Sequence, residues 1–227
     1  MLDLAFILSL IILFVVSFLL GSIPWGVIIS KVFYKTDIRD HGSGNIGTTN
    51  AMRTMGKVGG SAVFVLDFCK GLLSGFLAYP TWWILQGLLG ETPEVMGFLP
   101  NLLAIAFLGC VWGHIFSPWL GFKGGKGIAV AIGALFFTFG VIGACIELAI
   151  FIVLVVITRY VSVGSMAAAI ACPILAAFWF LVFDYAPLAF IFCTIAGLTV
   201  FWAHRSNFMR LVRGEENRIG DKKKSRS

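Results

Sequence analysis

Charge is scarce in this sequence. Asp, Glu, Lys and Arg make up only 12% of its 227 residues, about half the share in an average soluble domain. No polar stretch is long enough to form a water-soluble domain of its own. Cysteine pairing signals are also missing. Cys69, Cys110, Cys145, Cys172 and Cys193 all lie in apolar stretches and none forms a C-x-x-C pair. That pattern argues against a disulfide framework or a cysteine metal site and favours buried small side chains. The first apolar run has no basic segment before it, and Asp3 is its only early charge. A retained span with its N-terminus outside is therefore expected, not a cleaved signal. No Ser-His-Asp set, paired catalytic carboxylates or metal-ligand cluster can be assembled, so no metal and no cofactor are expected.

Apolar length is what the chain does have. Hydrophobic residues make up 59% and aromatic residues 15%, and the mean hydropathy is +0.96. Apolar runs beyond about 18 residues recur, each a candidate membrane span. Five are clear, at 4–29, 58–79, 98–116, 161–183 and 186–203. Between 128 and 158 lies a further apolar run whose only charge is Glu147. One long tilted span and a hairpin breaking near Gly140 to Gly143 are the two readings of it. Charge favours the hairpin, with arms at 128–139 and 141–158. Sixteen of the 17 Lys and Arg then share one face, and the opposite face carries Asp3, Glu91, Glu94 and Asp184. The positive-inside rule puts that basic face in the cytoplasm. The expected fold is an all-α integral membrane protein, a seven-transmembrane helix bundle with one short hairpin pair. Its N-terminus is outside and its C-terminus cytoplasmic. Residues 1–213 form a single polytopic domain, and 214–227 form a basic tail expected to be disordered. The arm at 128–139 reaches only about 18 Å, short of the ~30 Å hydrocarbon core, so its ends need shielding by protein or water.

Three polar clusters fall on the basic face. The first, HGSGNIGTTN at 41–50, matches G-x-G-x-x-G from Gly42 to Gly47. A dinucleotide fingerprint needs a preceding strand and a βαβ unit, and here membrane helices flank the match, so NAD is rejected. What remains is either a flexible solvated loop or a backbone cradle for an anion. Ser43, Asn45 and Asn50 add neutral hydrogen-bonding groups, and Arg53 adds a guanidinium fork suited to phosphate. The second cluster, WLGFKGGKG at 119–127, leads into a helix; glycines and lysines before a helix N-terminus make a natural phosphate site. Its candidates are Lys123, Gly124, Gly125, Lys126 and Gly127. The third runs from His204 through Asn207 to Arg210 and Arg213. His204 and Asn207 share a helical face and can reach a common site, while the arginines read as a headgroup anchor. Within the second span, Asp67 and Lys70 are three residues apart and read as a structural ion pair.

GSGNIGTTNAMRTMGK, GHIFSPWLGFKGGKGIA and HRSNFMRLVRGEE together resemble the three signature regions of the PlsY-type bacterial acyl-phosphate:glycerol-3-phosphate acyltransferases. The resemblance runs in order from the first span to about Glu216, and Thr48 departs from the alanine common in the family. It implies an inner-membrane acyltransferase of phospholipid biosynthesis with its active site on the cytoplasmic face. That enzyme would transfer an acyl group from acyl phosphate to the 1-hydroxyl of glycerol 3-phosphate, giving 1-acyl-glycerol 3-phosphate. Carried over to this sequence, Ser43 and Arg53 hold the phosphate of glycerol 3-phosphate, joined by Lys126, His204 and Asn207. The loop from Gly121 to Gly127 cradles the acyl phosphate. Lys126 and His204 are the catalytic candidates. Glycerol 3-phosphate, acyl phosphate and membrane lipids are the expected partners, with no nucleic acid and no obligate protein. The alternative is a transporter or flippase of a small phosphate ester, although no inverted repeat is evident.

Overall fold

The computed structural model describes residues 2–183 and 186–220. Asp184, assigned above to the outer face, and residues 221–227 of the tail lie outside the described residues. The described residues contain helices and turns and no strand. In chain order the helices are α1 (Leu2–Ser22), α2 (Trp25–Phe33), α3 (Thr48–Phe76), α4 (Ala78–Leu89), α5 (Pro93–Met96), α6 (Leu99–Ile115), α7 (Ile128–Thr138), α8 (Gly140–Thr158), α9 (Val161–Ala177), α10 (Pro187–Ala203) and α11 (Arg205–Val212). A π-helical segment, Phe178–Phe183, follows α9.

Helix α6 is apolar all round, the pattern of a helix enclosed by others. Leu102 to Val111 are all buried, packed against α1, α3, α4, α7 and α10. Glycine permits the closest approaches. A Cβ at Gly113 would stand 2.0 Å from the Phe18 carbonyl oxygen, and one at Gly71 2.1 Å from that of Val130. Small residues at such contacts let helix backbones meet inside a membrane, where burial alone gives little drive to associate.

Among the described residues, five helical stretches are long and apolar enough to cross a membrane. They are Leu4–Phe33, Thr48–Leu89, Pro93–Leu120, Gly140–Thr158 and Val161–Val182, and α10 with α11 makes a sixth if that pair, bent by 48°, is one span. The apolar run 128–158 divides at Phe139 into α7 and α8. The 11 residues of α7 cover about 16 Å, and its Val130, Ala131, Gly133, Ala134 and Leu135 are buried.

Two departures from the spans read in the sequence have clear causes. The first apolar run breaks at Ile23–Pro24, because proline lacks an N–H and disfavours helical backbone just before it. The carbonyls this frees are taken up from elsewhere in the bundle. Ser117 Oγ donates to the Ser22 carbonyl at 2.7 Å and Lys70 Nζ to that of Ile23 at 2.9 Å. Helix α3 begins well before the apolar stretch, at Thr48, and kinks at Gly56, whose φ of 74° suits glycine. The kink sets the polar turn that carries Asn50 and Arg53 apart from the apolar length of the helix.

Candidate active site

The three polar clusters meet. One cavity of about 300 Å³ is lined by Ser43, Asn45, Asn50 and Arg53 from the first cluster, Lys126 and Gly127 from the second, and His204, Asn207 and Arg210 from the third.

The first loop is tied from both sides. Asp37 bonds the Arg39 side chain at 2.6 Å and Lys31 at 3.1 Å. The Arg39 hydrogen bonds, with further help from Lys31, hold the Asp37 carboxyl well below the usual carboxylate range. Asn50 is the hub. Its Nδ2 donates to the carbonyls of Ile38, His41 and Asn45 at 2.9 to 3.1 Å, and its Oδ1 accepts from the Ser43 N–H at 3.0 Å. Gly42, at φ +61°, sits against that amide, where a Cβ would stand 2.2 Å from Asn50 Oδ1. The Asn50 side chain is therefore engaged in shaping the loop, while Ser43, exposed, and Arg53 present their side chains at the cavity. His41 bonds Thr36 at 2.7 Å on the surface and is not part of the lining.

The glycine loop is used differently from the expectation. Lys123 is exposed, and Lys123, Gly124 and Gly125 do not line the cavity. The Gly124 N–H donates to the Ile115 carbonyl at 2.9 Å and that of Gly125 to His114 at 3.0 Å. These amides cap the end of α6 and are not offered to a ligand. A Cβ at Gly125 would come within 2.1 Å of His114 Nε2, so the glycines are required by packing. The anion-facing part is one step on: Lys126, Gly127, Ile128 and Ala129 line the cavity at the N-terminus of α7, where unpaired amides and the helix dipole favour negative charge. Lys126 Nζ donates to Asn207 Oδ1. Burial, then the nearby Arg210, pulls its pKa from 10.5 down to about 8, with Glu216 acting in the opposite direction.

His204 occupies the bend between α10 and α11, and its Nδ1 lies 2.8 Å from the Val200 carbonyl. A carbonyl only accepts, so in the neutral ring the proton sits on Nδ1 and Nε2 is an acceptor at the cavity. Two residues were placed wrongly or missed in the sequence. Arg210, read as a headgroup anchor, instead pairs with Glu216 at 2.7 Å on the cavity wall. Glu216, left out of the site, also accepts from Asn207 Nδ2 at 2.9 Å. The three-residue step from Asn207 to Arg210 was the available signal, since it places both on one helical face. Residues 214–220 were expected to belong to a disordered tail. They fold back instead, with Glu215 N–H donating to the Arg210 carbonyl and Ile219 N–H to that of Arg159, both at 2.8 Å.

Asp67 and His114 also line the cavity. Lys70 Nζ lies 2.9 Å from Asp67 Oδ1 and 3.0 Å from His114 Nδ1, and all three side chains are almost fully buried. The ion pair expected from the sequence is thus part of a three-residue cluster that ties α3 to the end of α6.

The helices and cavity define a membrane-embedded α-helical protein with a cationic site suited to phosphate groups. The chain matches the glycerol-3-phosphate acyltransferase family over residues 11–214. It is 40% identical to the glycerol-3-phosphate acyltransferase of Thermosynechococcus vestitus, over 90% of this chain and 92% of that one. It is 38% identical to that of Staphylococcus saprophyticus, over 92% and 98%. Among solved structures it resembles PlsY, an integral membrane glycerol 3-phosphate acyltransferase. The glycerol 3-phosphate form has a TM-score of 0.72 at 33% identity, covering 93% of this chain and 96% of that one. The lysophosphatidic acid form has a TM-score of 0.70 at 32% identity, with the same coverage. This chain belongs to the glycerol-3-phosphate acyltransferase family.

Proposed function

We propose that the protein transfers an acyl group from acyl phosphate to the 1-hydroxyl of glycerol 3-phosphate, releasing 1-acyl-glycerol 3-phosphate and inorganic phosphate for phospholipid biosynthesis. The observation that carries this reading is the convergence of Arg53, Lys126, His204, Asn207 and the α7 N-terminus on one cavity. The cavity's other walls include Phe64, Ile132 and Phe151, so a polar end for phosphates adjoins an apolar surface for a chain.

In this mechanism Arg53 and Ser43 hold the phosphate of glycerol 3-phosphate, and Lys126 with the first α7 amides holds that of the donor. The 1-hydroxyl oxygen forms a bond to the acyl carbon, the bond from that carbon to the phosphate oxygen breaks, and phosphate leaves. Lys126 stabilises the charge growing on the leaving phosphate. The hydroxyl proton passes to a substrate phosphate, with His204 Nε2 orienting the hydroxyl by accepting its hydrogen bond. Most of the acceleration then comes from positioning and electrostatics.

The same reading places seven spans in the bacterial inner membrane, with α7 and α8 as the short hairpin pair. The N-terminus is outside, and the site and C-terminus are cytoplasmic. Membrane-impermeant thiol labelling of Glu91→Cys and Lys123→Cys in intact cells tests it. Only the first is expected to react, and labelling of Lys123→Cys alone would invert the topology. The activity is tested with purified protein in lipid, given acyl phosphate and glycerol 3-phosphate. Absence of both lysophosphatidic acid and released phosphate would refute it. Equal turnover with acyl-CoA would refute the donor, and flux of glycerol 3-phosphate without product would favour a transporter.

A further inference from the structure

Behind the substrate cavity lies a second one of about 30 Å³. The two share Ile128, Ile132 and Phe151 as walls, so they adjoin across these side chains. The inner cavity is lined by apolar groups such as Phe107, Leu135 and Ala168, with a single exception, Glu147. Glu147 is 3% exposed, and among the described residues no donor meets its Oε1. It precedes Phe151 by one turn of α8, on the side away from the glycine loop.

A carboxyl oxygen without a partner in an apolar membrane interior is costly and marks a functional position. The cavity has room for about one water, and among the described residues Glu147 supplies the only side-chain oxygen there.

We propose that the inner cavity receives the far end of the acyl chain, and that Glu147 limits how long that chain can be. This rests on the acyl-transfer reading above. Each methylene that enters the cavity gains burial. A chain long enough to press on the carboxyl shuts it off from any water and offers no hydrogen bond in return. That loss exceeds the gain per methylene, so binding weakens once the chain reaches Glu147.

The test uses the full chain in lipid nanodiscs and a series of saturated donors from dodecanoyl to octadecanoyl phosphate. The kcat/KM of each is measured at fixed glycerol 3-phosphate. The wild type is expected to show a cutoff, with about a tenfold fall across the two methylenes that reach the carboxyl. Glu147→Leu, of similar volume, removes that fall, and Glu147→Gln, which keeps a polar head, retains it. A wild type without a cutoff, a Glu147→Leu profile matching the wild type, or a Glu147→Gln profile matching Glu147→Leu would each overturn the inference. No turnover with any acyl phosphate in the wild type would instead overturn the acyl-transfer reading beneath it.

Discussion

Lys126 offers the most direct test of the site, because its charge is both needed and precarious. Its pKa lies at about 8, lowered chiefly by burial and next by the Arg210 charge. The protonated form binds and stabilises phosphate, so activity is present below that pKa and lost as pH rises through it. About one lysine in eleven stays protonated one unit above a pKa, so kcat/KM at pH ~9 should be about tenfold below its plateau. A bound phosphate favours the cation and raises the pKa in the complex, so the fall in kcat should come at higher pH than the fall in kcat/KM. An acid-side decline near pH ~6 belongs to the substrate, whose phosphate dianion takes up a proton there. Lys126→Arg removes the alkaline fall, since arginine stays charged, even if its different reach lowers the plateau. The assay is phosphate release by purified protein in lipid, from pH ~6 to ~10, at saturating and limiting concentrations of both substrates. An unchanged alkaline fall in Lys126→Arg, or a wild-type kcat/KM flat to pH ~10, would refute the assignment.

Arg53→Ala removes the guanidinium from the cavity edge, and initial rates should show kcat/KM for glycerol 3-phosphate down by about a hundredfold or more, in line with losing one partner of a charge pair. His204→Gln should raise KM for glycerol 3-phosphate while kcat stays within about tenfold of wild type, short of the roughly hundredfold or more that a general base contributes; a kcat loss of that size at unchanged KM would make His204 the base. Lys70→Met leaves Asp67 buried without its cation, which costs about 3–5 kcal/mol and should lower the melting temperature in detergent. Adding Asp67→Asn should recover much of that loss, and a double variant no more stable than Lys70→Met would show that the pair is not coupled.

The sequence was most informative where one physical rule acted alone. Apolar length marked the membrane-crossing stretches, because hydrocarbon leaves a helix few alternatives. It was less informative about where each helix bends. Pro24 and Gly56 sit beside or within helical patterns, and the break at Pro24 depends on Ser117 and Lys70, distant in sequence, to take carbonyls it leaves free. The glycine loop shows the same limit. Its composition pointed to phosphate, but which amides remain free depended on the end of α6, distant in sequence, which engages those of Gly124 and Gly125. Glu216 was illegible for a related reason. An acid in a basic tail reads as solvated until its chain folds back to Asn207 and Arg210.

That fold-back also explains how the site tolerates its own charge. Arg53, Lys126 and Arg210 line one cavity, with Glu216 as the carboxylate set against them and Asp67 answered by Lys70. Glu216 binds Arg210 directly and reaches Lys126 only through Asn207. The lysine therefore carries the remaining imbalance, which adds to burial in lowering its pKa. A phosphate entering the cavity supplies the missing negative charge and draws a proton onto Lys126 wherever the empty site has lost it. Binding and protonation are then linked, and linkage is reciprocal: above pH ~8, glycerol 3-phosphate or acyl phosphate should bind with uptake of a proton, while a site already protonated at pH ~6 takes up none there. Calorimetric titration in two buffers of different ionisation enthalpy measures that uptake. Lys126→Arg should abolish the alkaline uptake without abolishing binding, which separates a charge-deficient cavity from one that merely contains cations.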